Sequence, residues 1–329
     1  MNSRKMTGIY ATYIKQFIDL KRSLGFKYLN EEIILSYFDR FTVKTGVSEL
    51  GISKELSDDW CAKRPEESDR YRNMRCSVFK LFAEYLNTIG IRSYVPHIIN
   101  RKQDHVFIPY IYTKAEISAI FQATDEIGNK YHRKDSVIFA LPCLFRLIYA
   151  TGLRIREATT LKDKDVNLID NFIRVCDSKN GTERIIPISE SLSNVCKEYL
   201  EYRSKLPIRP RTPENTFFVS LNGNDLIYMS VGIYFRKILS VAGIPYIGKQ
   251  KGPRIHDLRH TFACHALRSM VECGVDLYYS LPILSTYLGH RTLESTEQYV
   301  RLTAEIYPDL IKNMESFNTN VFPEIYDHE

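Results

Sequence analysis

Leu288-Gly289-His290-Arg291-Thr292-Leu293-Glu294-Ser295-Thr296-Glu297-Gln298-Tyr299-Val300 lies near the C-terminal end of a 329-residue chain and sets a tyrosine nine positions after a histidine. Three pieces upstream carry matching chemistry: Thr151-Gly152-Leu153-Arg154-Ile155-Arg156-Glu157, then Lys179, then Arg254-Ile255-His256-Asp257-Leu258-Arg259-His260. A tyrosine hydroxyl, with an ordinary pKa of about 10, is a weak nucleophile unless positive charge surrounds it. Two arginines, a lysine and two histidines supply that charge. The set reads as one phosphoryl-transfer site built from separated parts of the chain, with Tyr299 as nucleophile.

Each piece has its own logic. Arg154 and Glu157 are three apart and share one helix face, so the carboxylate orients the guanidinium and leaves its fork for a phosphate. His256 and Arg259 repeat that spacing: the arginine clamps non-bridging oxygens and the imidazole moves a proton near neutral pH. Lys179 sits in a polar turn from which its ammonium can reach a leaving oxygen as general acid. Gly289 ends the helix before it and lets His290 turn toward the site. Taken singly, each reads as well as an ion pair, a packed ring or a solvated lysine. Their order and spacing carry the reading.

Around these pieces the chain is mainly α with a small antiparallel β-sheet. Tyr10, Tyr13, Ile14, Phe17 and Ile18 recur at helix spacing, as do Ile33, Ile34, Tyr37, Phe38 and Phe41, and then Val78, Leu81, Phe82, Tyr85 and Leu86. A bundle of about four helices is expected over 1–105. Pro96, the polar run Asn100-Arg101-Lys102-Gln103-Asp104 and Pro109 break the pattern, which sets a linker at 106–112. A second domain, 113–329, starts at Thr113, with Glu116 three later as a capping box. Val137 to Ala150 is an apolar core helix, too short and interrupted to span a membrane. Val166-Asn167-Leu168, Phe172-Ile173-Arg174-Val175 and Arg184-Ile185-Ile186-Pro187-Ile188 are β-branched runs parted by turn residues, Asn180-Gly181 among them, and read as three antiparallel strands. Lys179 stands at the lip of the second hairpin. Helical spacing returns over Leu192–Leu200, Ser230–Val241, Leu258–Glu272 and Leu281–Leu288. A tail helix at about 304–318 follows, with Ile306, Leu310, Ile311, Met314 and Phe317 on one face.

Composition permits a nucleic-acid partner without demanding one. The net charge is +6, of which +5 falls between Met1 and Tyr112. Arg70, Arg72, Arg75 and Lys80 open the third helical pattern, and Arg101 and Lys102 lie in the connection. These six are candidate phosphate contacts; a solvated outer face and a hydrophilic linker fit them equally. The seven cysteines are scattered, with no CxxC pair. Cys264 and His265 lack a second pair at finger spacing, so no metal site is expected. No apolar signal run follows the N-terminal Met1-Asn2-Ser3-Arg4-Lys5, which points to a reducing, cytoplasmic setting and no membrane.

The constellation resembles the active site of the tyrosine recombinase (phage integrase) superfamily, which includes the Xer recombinases and transposon-borne integrases. Thr151-Gly152-Leu153-Arg154 with Glu157 is similar to the family's first arginine box. Lys179 before Glu183-Arg184-Ile185-Ile186-Pro187 resembles its β-hairpin lysine. His256-Asp257-Leu258-Arg259-His260 matches the second box, and Leu288-Gly289-His290 with Tyr299 matches the last histidine and the nucleophile. Two details depart from the pattern: Arg291 follows His290, and Asn180-Gly181 follows Lys179. The likeness covers 113–300; the N-terminal bundle is similar to the family's core-binding domain in helix number and position. The resemblance implies a site-specific recombinase acting on a double-stranded DNA site. Tyr299 attacks a phosphodiester, Arg154 and Arg259 stabilise the transferring phosphoryl group, and His256 assists proton movement at the tyrosine. His290 hydrogen-bonds a non-bridging oxygen, and Lys179 protonates the departing 5′-oxygen. A 3′-phosphotyrosyl intermediate keeps the bond energy, so neither ATP nor metal nor other cofactor is needed. Four protomers act in pairs, coupled through the tail helix where it docks on a neighbouring protomer rather than packing on its own domain, with room for accessory DNA-bending proteins or sister recombinases. A type IB topoisomerase would share the chemistry, and a non-catalytic DNA-binding regulator would share the fold.

Overall fold

A computed structural model gives the conformation of residues 6–97, 108–127, 136–176, 183–208, 210–247, 252–290 and 292–306. The chain divides into two compact units, Met1–Val106 and Phe107–Glu329. Among the described residues, no helix is long and apolar enough to cross a membrane.

The first unit holds α1 (Ala11–Ser23), α2 (Leu29–Lys44), α3 (Lys54–Cys61) and α4 (Asp69–Thr88). The three apolar patterns mark α1, α2 and α4. The short α3 is announced instead by Ser53, whose hydroxyl accepts the Leu56 N–H at 3.1 Å. Each helix turns its apolar stripe inward, and Tyr10, Phe17, Phe38, Trp60, Phe79 and Phe82 fill the centre almost without exposure. At roughly 1.5–3 kcal/mol for each large apolar side chain taken out of water, this cluster holds the unit together.

The basic face expected on α4 is corrected here. Arg75 is fully buried. It donates to both oxygens of Glu67 at 2.7 and 2.6 Å, to the Ala62 carbonyl at 3.0 Å and to the Trp60 carbonyl. Arg72 donates to the Cys61 carbonyl at 2.9 Å. Positions 72 and 75 do share a face, but that face meets the C-terminal end of α3, whose last carbonyls have no partner within their own helix. The guanidiniums satisfy those carbonyls. Arg70 is exposed, and Lys80 stands 3.8 Å from Glu84. Arg101 and Lys102 lie outside the described residues.

The second unit begins earlier than the linker at 106–112 would allow. Tyr112 is fully buried; its N–H donates to Thr261 at 3.0 Å and its hydroxyl to the Arg254 carbonyl at 3.1 Å. Pro109 suggests a break, but the tyrosines around it have ring area to bury. Helix α5 (Lys114–Glu126) follows the Thr113/Glu116 capping box. Then come α6 (Leu141–Thr151), α7 (Ile155–Thr159), and strands β1 (Val166–Asn167), β2 (Phe172–Val175) and β3 (Arg184–Pro187) in antiparallel order β1-β2-β3. Ile173 pairs with Ile186, and both point into the core. The hairpin tip that carries Lys179 lies outside the described residues.

Among the described residues five helices follow: α8 (Glu190–Ser204), α9 (Tyr228–Val241), α10 (Ile255–Glu272), α11 (Leu277–Leu288) and α12 (Glu294–Ile306). One core joins α5, α6, α8 and α9 to the sheet, and a second ties α10, α11 and α12 together. The long α10 belongs to both and packs on α6, α11 and α12. Tyr299 thus sits in the middle of a helix, α12, ahead of the expected tail. Most of that tail, with Leu310, Ile311, Met314 and Phe317, lies outside the described residues.

Candidate active site

The site forms where the ends of several elements meet. Helix α6 stops at Gly152, which takes a left-handed φ of 62°. A Cβ there would lie 2.5 Å from Phe262 and 2.7 Å from Leu288, so the turn needs glycine for space as well as for conformation. Two residues later Arg154 starts α7. Its own N–H donates to Glu157 Oε2 at 3.0 Å and its guanidinium to Oε1 at 2.7 Å.

Glu157 is the hub. Its carboxylate also accepts from Arg184 at 2.8 and 3.4 Å, and Arg259 Nη1 stands 4.0 Å away. Burial alone would raise its pKa, but the hydrogen bond and charge of Arg184, with Arg154's, hold it below the usual carboxylate range. The three side chains differ in access: Arg154 is 20 % exposed, Arg184 7 % and Arg259 2 %. Arg154 is therefore the guanidinium open to an incoming anion.

Arg259 projects from the first turns of α10, which starts at Arg254 with Asp257 accepting the Arg254 N–H at 2.8 Å. Its guanidinium donates to the Gly152 carbonyl at 2.6 Å and the Leu288 carbonyl at 2.8 Å, and stands 3.0 Å from His290 Nε2. Those carbonyls close α6 and α11, so one side chain clamps two helix ends. Arg184 adds a second brace by donating to the Tyr287 carbonyl at 3.0 Å. Gly289 then reverses the chain at φ 66°, with Arg184 packed so close that a Cβ would lie 2.8 Å from its Nη1.

The contacts of His290 assign its protons. Arginine can only donate, so Nε2 accepts from Arg259, and Nδ1–H donates to the Thr296 hydroxyl 2.8 Å away. Tyr299 is almost fully buried, its ring stacked on His290 at 6.1 Å between centroids. Its hydroxyl lies 2.9 Å from Nδ1 of His260. The ring of His256 packs edge-on against that of His260 at 4.8 Å.

These positions make the site electropositive. Burial, with Arg259's charge next, pulls His256 and His290 down to about 4; burial, with His256 next, pulls His260 to about 3. All three imidazoles are neutral at pH 7. Burial also pushes the Tyr299 hydroxyl up to about 12 against the opposing pull of Arg259, and lowers Arg259 to about 10. Three guanidiniums around the Glu157 carboxylate leave a net positive pocket suited to a phosphodiester.

Of the residues singled out in the sequence, Arg154, Glu157, His256, Arg259, His290 and Tyr299 come together. Lys179 and Arg291 lie outside the described residues. Cys264 is buried in the α10–α12 core and His265 Nδ1 lies 2.9 Å from the Tyr149 hydroxyl; among the described residues no cluster of His, Cys, Asp or Glu is fit to hold a metal ion. The residue set against the tyrosine hydroxyl is His260, where the resemblance had implied His256. Arg184, His260 and Thr296 are additions from the structure. The spacing of four between His256 and His260 was a usable signal, because it puts both on one helix face. Arg184 gave none beyond being a charge at the start of an apolar strand.

The sequence profile of the phage integrase family matches residues 111–305, a stretch that contains all of these positions. The chain belongs to the phage integrase family. Among its relatives is y4rB of Sinorhizobium fredii, named as an integrase/recombinase, 28% identical over 304 residues that cover 92% of this chain and 96% of the other. Tyrosine recombinase XerD of Listeria monocytogenes is 26% identical over 279 residues, covering 81% and 87%. The fold is similar to that of lambda integrase crystallised as a dimer on a core site, with a TM-score of 0.61 at 18% identity over 88% of this chain and 94% of that one.

Proposed function

We propose that this enzyme, a tyrosine-type site-specific DNA recombinase, breaks and rejoins its DNA through a phosphotyrosyl bond to Tyr299. The observation that carries the assignment is the hydrogen-bonded chain running from Glu157 through Arg154 and Arg184, and from Arg259 to His290, beside the Tyr299 ring. Arg154, the open guanidinium, holds a non-bridging oxygen, and Arg259, buried behind it, supplies charge that stabilises the transferring phosphoryl group. Burial first and the arginine charges next keep His290 neutral; the incoming anion offsets the arginine charges, which favours a proton on Nε2 and a hydrogen bond from it to the phosphate. His256, partly exposed at the start of α10, lies close enough to Arg259, Arg254 and Arg154 to feel their charges. Lys179 is the proposed donor to the departing 5′-oxygen. The reaction conserves bond energy in the phosphotyrosine and calls for no nucleotide cofactor.

The partner is duplex DNA at a specific site, and recombination between two duplexes calls for four protomers, coupled through the segment after Ile306. Two related structures are described on DNA, lambda integrase on a core site and XerH on its difH substrate, which supports the DNA partner. The seven cysteines are free thiols, in keeping with a reducing cytoplasm.

The test is recombination in vitro on a plasmid carrying two copies of the DNA that flanks the gene. The wild type is expected to give recombinant circles and Tyr299→Phe none. Relaxation of supercoils without recombinants would favour the topoisomerase reading. Tight, salt-sensitive binding without either product would favour the regulator.

A further inference from the structure

Tyr299 loses a proton as its oxygen bonds phosphorus, so an acceptor must lie within hydrogen-bond reach of the hydroxyl. We propose that His260 is that catalytic residue: its Nδ1 takes the Tyr299 proton during cleavage and returns it on rejoining. This rests on the reading of Tyr299 as nucleophile.

The geometry is already made. Nδ1 lies 2.9 Å from the hydroxyl oxygen, and both side chains are buried. His260 sits inside α10, directly after Arg259, so the group that clamps the helix ends and the group that meets the tyrosine share one rigid backbone. Its ring is held between the edge of His256 at 4.8 Å and the Tyr299 ring at 5.7 Å. Burial, the nearby His256 and His290 rings competing for the same proton, and the guanidinium charges of Arg259 and Arg254 keep it unprotonated, so the ring can present a nitrogen lone pair to the hydroxyl.

The transfer balances as follows. The P–Oη bond forms, the P–O5′ bond breaks, the Oη proton passes to Nδ1, and the 5′-oxygen takes a proton from a separate donor, proposed above as Lys179. On rejoining, a 5′-hydroxyl attacks phosphorus and returns its proton to that donor, the P–Oη bond breaks, and His260 gives its proton back to the phenolate oxygen. Burial raises the hydroxyl and lowers the imidazole, so the pair rests as tyrosine and neutral histidine and the proton moves as the P–O bond forms. The arriving phosphodiester offsets the neighbouring arginine charges and raises the proton affinity of His260 when the step requires it.

The experiment is single-turnover adduct formation on a nicked duplex of the protein's own flanking DNA, followed from pH 6.5 to 9. The full-length chain is compared as wild type, Tyr299→Phe, His256→Asn and His260→Asn. Asparagine keeps a polar atom close to the place of Nδ1 but takes no proton there, and His260→Gln stands in should that variant not fold. His260→Asn is expected to slow adduct formation by about 10²–10⁴-fold at pH 7, the range for a lost acid–base group. Its rate should then climb with hydroxide through pH 9 while the wild-type rate stays flat over that span. His256→Asn should keep the flat profile. A wild-type rate in His260→Asn overturns the proposal. So does a faster one, which would mark the contact as a latch on the tyrosine, and so does a loss equal at every pH, which would mark a structural role. An adduct that survives Tyr299→Phe, or its absence from the wild type, sinks the nucleophile reading itself and the proposal with it.

Discussion

Replacing Glu157 by alanine should cost more than any other single truncation at the site. Its side chain is 3 % exposed and accepts from Arg154 at 2.7 Å and Arg184 at 2.8 Å, with Arg259 at 4.0 Å. Two of those guanidiniums, Arg184 at 7 % and Arg259 at 2 %, lie in the interior and would be left beside one another with no carboxylate. Breaking a buried pair by removing one partner costs about 3–5 kcal/mol, because the remaining charge stays desolvated. Glu157→Gln keeps the shape and one acceptor oxygen, and should lose about half as much. Urea unfolding followed by far-UV circular dichroism gives the stability difference. Adduct formation on nicked DNA gives the catalytic one, expected to fall at least about 10²-fold in Glu157→Gln through misplaced arginines. Wild-type stability and rate in Glu157→Gln would refute the idea that this carboxylate organises the arginines.

Arg75→Met should destabilise the first unit by about 3–5 kcal/mol by stranding Glu67, whose side chain is 4 % exposed, as read by the fluorescence of Trp60; the salt dependence of DNA binding should stay unchanged, and a shallower slope would restore Arg75 as a phosphate contact. Gly152→Ala should cost about 2–5 kcal/mol, from a positive φ of 62° and a Cβ 2.5 Å from Phe262, and an unshifted thermal midpoint would contradict it. Acid should weaken the fold early. His256 and His290 at about 4 and His260 at about 3 stay neutral when folded, whereas the unfolded chain gains those protons below about 6.5. Their contribution is therefore complete above pH 6.5 and is lost as pH falls toward 4, by roughly 1–2 kcal/mol per histidine at pH 5 after allowing for partial exposure. A urea midpoint that does not move between pH 7.5 and 5 would count against it.

What the sequence made legible was whatever repeats locally. Apolar periodicity found α1, α2 and α4, the Thr113/Glu116 pair found the start of α5, and β-branched runs found the sheet. The boxes around Arg154, His256, Arg259, His290 and Tyr299 were readable from their order and spacing along the chain and their likeness to a family's motifs; helix spacing itself tied together only the Arg154/Glu157 and His256/Arg259 pairs. Contacts made only by tertiary approach were not. Arg184 meets Glu157 and the Tyr287 carbonyl from positions 27 and 103 residues away, and nothing in its own neighbourhood announces this. Arg75 carries a charge, and charge reads as surface until a partner such as Glu67 is seen beside it. Helix α12 was missed because two of its buried positions, Thr296 and Thr303, count as polar, so the stripe they make with Tyr299 and Leu302 does not look apolar. The packed end of the linker was missed because Pro109 outweighed the tyrosines that follow it.

The most direct measurement is mass spectrometry of the trapped covalent complex after nuclease and protease digestion. A phosphonucleotide on the peptide carrying Tyr299, absent in Tyr299→Phe and much reduced in Arg259→Ala, is the expected result. An adduct on any other tyrosine, or one formed equally well by Tyr299→Phe, would contradict the assignment of the nucleophile.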